Sequence, residues 1–287
     1  MLEVDRGRYT CLVDDRRVLA MKARELGRRS IVVGDRVHLV GEVSGSPDAL
    51  ARIVRVRPRT SALRRSADDA DPVERIIVAN ADQLAVVCAL ADPQPRPRLI
   101  DRCLVAAYDA GLDPLLCLTK SDLAAPDDLL RIYAPLGVPY IVTSRYEPLD
   151  ELRDRLAERV SVLVGHSGVG KSTLVNTLVP GAGRATGQVN EVTGRGRHVS
   201  SSAVVLELVD GGWIIDTPGI RSFGLAHVSA SDVVEAFPEI AEGTERCSPG
   251  CDHLEEGCAL DAWAVAGNAD PARVDSLRRL LRSRESE

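Results

Sequence analysis

Long apolar runs are missing from this 287-residue chain. Stretches such as residues 84–91 fall far short of the roughly 18 apolar residues a membrane span needs, and the charged start Met1-Leu2-Glu3-Val4-Asp5-Arg6 is no secretory leader. A cytoplasmic protein with no membrane partner is expected. Lysine is nearly absent: it occurs at 22, 120 and 171, and every other basic residue is arginine. Such a chain keeps lysine where a compact ammonium on a flexible stem is needed, as at phosphate oxygens. Aromatic side chains are scarce at the amino end, where residues 1–62 hold only Tyr9, so base stacking, the main device of single-strand binders, is nearly unavailable there. A paired-cysteine framework is lacking too. Cys11, Cys88, Cys103 and Cys117 lie scattered among apolar neighbours and read as small buried hydrophobes, whereas Cys247, Cys251 and Cys258 cluster, which in a cytosolic chain argues for a metal.

What is present begins with length and charge. A chain of this size with 45% hydrophobic residues can build two or three domains, each with its own core. The formal net charge of -6 hides an asymmetry, because residues 1–65 carry 15 Lys/Arg against 8 Asp/Glu while the remainder carries 21 against 34. A positive module on an acidic protein is the footprint of a nucleic-acid partner, since basic side chains displace counterions from phosphates; the other reading is a solvated basic face. With stacking unavailable, arginine contacts to a folded RNA backbone fit best.

Residues 1–62 alternate in short segments at 9–13, 17–20, 31–33, 36–40 and 51–56, separated by Gly, Asp, Ser and Pro. Five strands predict an OB-type β-barrel over residues 1–65, with an SH3-like barrel as the alternative. Residues 59–71 read as a polar linker or loop. From residue 76 the rhythm becomes strand, helix, strand: apolar runs at 83–90, 114–118, 139–143 and 160–164 alternate with helical patterns at 99–110 and 149–159, which predicts a parallel sheet over residues 66–224. Two strands at 204–209 and 213–215 flank the turn Asp210-Gly211-Gly212. Residues 225–287 turn helical and end in a basic helix opened by Asp270-Pro271.

The chemistry-bearing motifs lie within that frame. Gly165-His166-Ser167-Gly168-Val169-Gly170-Lys171-Ser172 follows an apolar strand and opens a helix at Thr173, the context in which G-x-x-x-x-G-K-[ST] cradles phosphates. Its backbone N–H groups wrap the phosphates, Lys171 neutralises the β/γ oxygens and Ser172 offers a hydroxyl to Mg²⁺. Asp216-Thr217-Pro218-Gly219 ends another strand, so Asp216 can hold Mg²⁺ and the Gly219 amide can sense the γ-phosphate. Thr119-Lys120-Ser121-Asp122 ends the strand at 114–118. An aspartate there accepts from the guanine N1 and N2 donors and would face an acceptor on adenine, and Thr143-Ser144 fits the segment that touches the guanine oxygen. GTP and GDP are therefore the expected ligands.

These two halves come in inverted order. In a Ras-like GTPase the phosphate loop opens the domain and [NT]-K-x-D lies near its end; here T-K-S-D comes first, as in a circularly permuted domain. Ile220 follows D-T-P-G where Ras-like enzymes carry a water-positioning glutamine. His198, in Gly194-Arg195-Gly196-Arg197-His198, is the replacement candidate; the alternative is an RNA-contacting loop residue. Cys247, Cys251, His253 and Cys258 supply three thiols and an imidazole within twelve residues, enough for one closed, structural Zn²⁺ site.

Taken together, these residues resemble the ribosome small-subunit-dependent GTPases of the RsgA type over essentially the whole chain. The resemblance is carried by Val33-Gly34-Asp35, T-K-S-D ahead of the phosphate loop, G-R-G-R-H before D-T-P-G, and Phe237-Pro238-Glu239 leading into the Cys/His cluster. It implies an OB-fold domain, a permuted GTPase domain and a helical zinc domain, slow GTP hydrolysis stimulated by the 30S subunit with its 16S rRNA, and a late role in 30S maturation; a monomer is expected. Two departures stand out. Val199-Ser200-Ser201 follows the histidine where the family usually has threonines, so Ser200 is the implied Mg²⁺ hydroxyl, and two of the zinc spacings are each one residue shorter than the usual C-x₄-C-x-H-x₅-C. Two rival readings are a P-loop transferase that uses the zinc for a substrate and an RNA-binding assembly factor for which GTP is mainly a regulatory ligand.

Overall fold

The computed structural model describes residues 1–287 except 6, 28–29, 47–48, 67–73, 184–202, 219–223, 256 and 285–287. The amino-terminal strands are β1 (Glu3–Asp5), β2 (Arg8–Val13), β3 (Arg16–Lys22), β4 (Val37–Val40) and β5 (Ala51–Val56). They neighbour one another in the order β1-β2-β3-β5-β4, antiparallel except for the parallel pair β3 and β5. That crossover is the OB arrangement and decides against the SH3-like alternative. Tyr9, Cys11, Val18, Ala20, Ile31, Ala51, Ile53 and Val56 fill the interior, inward positions that alternate along the strands as a pleat requires.

Two expectations about this region change. Residues 31–33 are not a ladder strand: Val33 alone bridges, to Val78, while the Val32 N–H donates to Asp35 Oδ2 at 2.9 Å. A carboxylate has taken the bond a neighbouring strand would have made. The fifth strand is β1, whose three residues end in an acid and show no alternation. The expected linker at 59–71 also holds a strand, β6 (Ala62–Arg65), which pairs with β7 (Arg75–Ala79).

The larger sheet consists of β8 (Gln83–Ala89), β9 (Asp113–Thr119), β10 (Tyr140–Val142), β11 (Val160–Gly165), β12 (Val204–Glu207) and β13 (Trp213–Asp216). Its order is β10-β9-β8-β11-β13-β12, parallel except at β12, and β12 continues into β1, so barrel and sheet form one eleven-stranded surface among the described residues. Every residue of β8 is buried, as expected of a parallel strand covered on both faces. Its alternate residues feed two cores. Leu84, Val86 and Cys88 join the cluster under α1 (Pro97–Asp109) and α2 (Asp127–Tyr133); Ala85, Val87 and Ala89 join that under α3 (Asp150–Leu156) and α4 (Lys171–Leu178). The four isolated cysteines are buried as expected, and desolvation pushes the Cys103 and Cys117 thiols up to about 12.

The carboxyl-terminal helices are α5 (Ala230–Glu235), α6 (Pro238–Thr244), α7 (Ala259–Val265) and α8 (Pro271–Arg284). Val233, Phe237, Ile240, Leu260, Leu277 and Leu281 enter the same cluster as α1, so these helices share the core of the sheet domain. Arginines of α8 fasten it to the sheet domain: Arg273 donates to the Pro135 and Leu136 carbonyls at 3.0 and 2.7 Å, and Arg279 to both Asp101 oxygens at 3.2 Å. No helix among the described residues is long and apolar enough to cross a membrane.

The barrel is locked to the sheet at Val33-Gly34-Asp35. A Cβ on Gly34 would stand 1.9 Å from the Ala79 carbonyl oxygen, so only glycine allows this approach. Asp35 is fully buried and meets Arg59 through two bonds of 2.7 and 2.8 Å, a bidentate pair whose geometry offsets the desolvation of the carboxylate.

Candidate functional site

The motif residues converge at the carboxyl ends of the parallel strands, where open α/β sheets bind ligands. β11 ends at Gly165, and the loop that follows uses two left-handed glycines, Gly168 (φ 84°) and Gly170 (φ 93°), to turn its backbone before α4 starts at Lys171. A Cβ on Gly165 would lie 2.7 Å from the Val87 carbonyl oxygen, so this glycine serves close strand packing.

Thr119, at the end of β9, does more than precede the base reader. Its hydroxyl donates to the Val169 carbonyl at 2.5 Å and thereby fastens the T-K-S-D segment to the phosphate loop. Lys120 takes a left-handed backbone (φ 62°) and its ammonium reaches the Asp92 carbonyl. The Ser121 N–H donates to the Thr143 carbonyl at 3.2 Å, and the Thr143 N–H to the Leu118 carbonyl at 2.8 Å, which brings Thr143-Ser144 beside T-K-S-D. Asp122 faces the guanidinium of Arg145, Oδ2 to Nε 4.0 Å, and Arg145 also stacks on Tyr146 at 4.6 Å.

On the phosphate side, Lys171 and Asp216 are both buried and joined by an ion pair, and Lys171 also donates to the Thr217 carbonyl at 2.5 Å. The Thr217 hydroxyl in turn donates to the Leu163 carbonyl at 2.8 Å, tying the start of D-T-P-G back to β11. The ammonium is thus held where phosphate oxygens would replace the carboxylate and carbonyl that now accept from it. Ser172 and Thr173 stand in the first turn of α4, where free N–H groups and the helix dipole favour an anion. The His166 Nδ1–H donates within the loop to the Ser167 carbonyl at 2.9 Å. His198, Ser200 and Gly219 lie outside the described residues.

Sequence reasoning missed the partners that hold these groups: Asp92 for Lys120, the Val169 carbonyl for Thr119 and Leu163 for Thr217. Each is a backbone carbonyl, and a carbonyl leaves no trace in residue identity.

The Cys/His cluster forms its own compact centre. Cys247 Sγ stands 3.6 Å from Cys258 Sγ and 3.5 Å from His253 Nδ1; Cys258 Sγ lies 3.8 Å from Cys251 Sγ and 3.7 Å from His253 Nδ1. All four ligand atoms fall within 4.8 Å of one another. Tetrahedral Zn²⁺, with bonds of about 2.3 Å to sulfur and about 2.0 Å to nitrogen, would place its ligand atoms about 3.5–3.8 Å apart, so the donor set and spacing fit. The shorter loops close because Gly250 (φ 79°), His253 (φ 65°) and Gly257 (φ 87°) adopt left-handed turns. Arg278 of α8 braces the centre by donating to the His253 carbonyl at 3.0 Å.

Comparison with known proteins places this arrangement. A family model described as RsgA GTPase matches residues 56–226. A small ribosomal subunit biogenesis GTPase RsgA of Gemmatimonas aurantiaca is 38% identical over 91% of this chain and 86% of its own length; that of Pseudomonas aeruginosa is 41% identical over 88% and 76%. Among solved structures, YjeQ from Thermotoga maritima superposes with a TM-score of 0.65 at 24% identity, covering 97% of each chain. YloQ, described as a circularly permuted GTPase, does so with a TM-score of 0.67 at 23% identity, covering 100% of this chain and 95% of its own. The inverted motif order therefore has a structural counterpart, and on the strength of the model match and the close sequence relatives the chain belongs to the RsgA GTPase family.

Proposed function

We propose that this chain hydrolyses GTP to GDP and phosphate on the small ribosomal subunit and acts late in that subunit's maturation. The observation that carries the reading is the convergence of T-K-S-D, the phosphate loop and Asp216 on one sheet edge, in a chain whose relatives are named for small-subunit biogenesis. Asp122 reads guanine through its N1 and N2 donors, and the backbone of Thr143 and Ser144 meets the guanine oxygen. Lys171 leaves Asp216 for the β/γ oxygens as the backbone of residues 165–173 wraps the phosphates. Ser172, Asp216 and Ser200 would hold Mg²⁺, which would supply charge neutralisation at the β/γ oxygens. The Gly219 amide senses the γ-phosphate and His198 orients the attacking water.

Three units divide the work: residues 1–65 and 225–287 meet the 30S subunit and its 16S rRNA, and residues 66–224 turn over the nucleotide. Cys247, Cys251, His253 and Cys258 hold one structural Zn²⁺; with all four positions filled by protein there is no open position for a substrate. The protein works as a cytoplasmic monomer. Multiple-turnover hydrolysis with and without 30S subunits, and with excess ATP as competitor, tests this reading. GTP turnover raised by 30S subunits and indifferent to ATP is expected, with the stimulated rate lost in His198→Ala. Competition by ATP or a rate unmoved by 30S subunits would sink it, and full stimulation of His198→Ala would remove that residue's role.

A further inference from the structure

The loop of the Cys/His centre is gripped from outside by one acid–base pair. Arg278 of α8 donates through Nε to the His253 carbonyl at 3.0 Å, and its Nη2 lies 2.8 Å from Asp261 Oδ1 of α7. Asp261 Oδ2 in turn accepts from the Gly257 N–H at 3.1 Å, one residue before Cys258. The pair therefore meets the loop twice, at the carbonyl of the imidazole ligand and at the amide ahead of the last thiol. The Arg278 side chain is 12% exposed, so the cationic half of the pair is shielded from the water that makes surface ion pairs weak.

Both meeting points are places where the loop needs support. His253 holds a left-handed backbone (φ 65°), which costs energy in a residue other than glycine. That turn carries the imidazole, whose Nδ1 stands 3.5 Å from Cys247 Sγ and 3.7 Å from Cys258 Sγ. Charge points the same way. Three thiolates and a neutral imidazole around a divalent ion leave the centre with an excess of negative charge. Burial disfavours the Arg278 charge, but Asp261 and Cys258 favour it more and hold the guanidinium above the usual arginine range. Its Nη2 is buried and, despite the short distance to Asp261, makes no aligned hydrogen bond among the described residues. The next residue of α8, Arg279, binds Asp101 of α1, so the helix that grips the loop is itself mounted on the sheet domain.

We propose that Arg278 is a positioning residue for the ion: together with Asp261 it presets the turns at His253 and Gly257 for tetrahedral ligation and thereby retains the zinc; this rests on the zinc assignment above. The pair supplies ordering that the ion would otherwise have to impose on the loop, and preorganisation of that kind raises affinity without adding a ligand. Partners that orient ligating residues contribute to metal affinity in this way.

The test uses the full chain carrying Arg278→Ala, Arg278→Lys or, as a neighbour on the same helix, Arg282→Ala, whose Nη2 stands 3.5 Å from the Leu254 carbonyl. It reads zinc affinity by competition with a chromophoric chelator, the rate of zinc release to that chelator, and the melting temperatures of zinc-loaded and zinc-stripped chains. Arg278→Ala is expected to weaken zinc binding about 10–100-fold, the range for losing a partner that orients a ligand, and to speed release by a similar factor. Arg278→Lys keeps the charge but gives up the planar fork that reaches two partners at once, so its affinity should fall between those of wild type and Arg278→Ala. Arg282→Ala should stay within about twofold of wild type, because a contact that long is a weak hydrogen bond. Melting temperatures lowered alike in loaded and stripped Arg278→Ala, with zinc affinity untouched, mark a merely structural contact and overturn the inference. A loss in Arg282→Ala as large as that in Arg278→Ala overturns it too. Should Arg278→Ala fail to fold, Arg278→Lys decides, and wild-type zinc affinity in that chain is the overturning result. A wild-type chain that takes up no zinc overturns the zinc assignment and this inference with it, whereas a zinc-loaded wild type beside an indifferent Arg278→Ala overturns the inference alone.

Discussion

The nucleotide site and the Cys/His centre are built on opposite principles. In the first, Thr119 reaches Val169 across 50 positions and Lys171 reaches Asp216 across 45; in the second, Cys258 meets Cys251 across 7 and His253 across 5. A site assembled from distant loops depends on the sheet that aligns them, and here its central strand β8 is buried on both faces. A centre assembled from adjacent turns leans on the core through its cysteines, Leu254 and the Arg278 brace, and an ion shared by its four ligands would add stability of its own. The contrast predicts that removing the ion disorders one region locally, while removing a nucleotide contact leaves the fold intact and changes binding or rate.

The largest effect is expected from stripping the metal. Structural zinc sites in small peptides carry roughly 10–16 kcal/mol of apparent binding energy. Atomic absorption should find one zinc per chain, and chelation or Cys258→Ser should let amides of residues 247–258 exchange freely while those of β8 and β11 stay protected. Exchange that spreads through the sheet would erase the distinction between the two regions. Next in size is Lys171→Met, which keeps the stem and removes the charge. GTP turnover should fall by about 10²–10³, the scale for losing one preorganised charge-stabilising group, with an unchanged circular dichroism spectrum. The smallest change sharpens the guanine side alone: Asp122→Asn should weaken GTP binding about 10–100-fold, as for a lost hydrogen bond to a charged group, and should favour xanthosine triphosphate, whose second carbonyl accepts from the new amide. Equal affinities for the two nucleotides before and after the change would remove Asp122 from base reading.

Much of this contrast was legible in residue order. Apolar runs at 83–90, 114–118 and 160–164 became β8, β9 and β11, because a strand covered on both faces needs apolar residues at every position. The phosphate loop and T-K-S-D could be placed at strand ends because glycines and an apolar run mark the turn from strand to helix. The Cys/His spacing showed a metal-ligand set, since all four donors lie on a few turns. Other features stayed hidden for a common reason. β1 and β6 are short and carry charged residues, so they show no alternation; they are strands because a neighbouring backbone accepts and donates to them. Of the arginines counted as a basic footprint in residues 1–65, Arg59 is spent internally on Asp35.

Residue identity by itself carried the motifs and the chemistry they suit: a phosphate loop with its lysine, an aspartate suited to a guanine base, three thiols and an imidazole suited to an ion, and the permuted order of the two nucleotide halves. These are legible because each chemistry depends on side-chain type and near spacing. Only the tertiary structure decided how the pieces are joined: the barrel continuing the sheet through β1 and β12, the helices of 225–284 sharing the core of α1, and Ser66 closing on Gly224. Those contacts run through backbone atoms and close packing, which every residue offers, so pairing across long stretches of chain is settled by which surfaces bury one another and not by which letters appear.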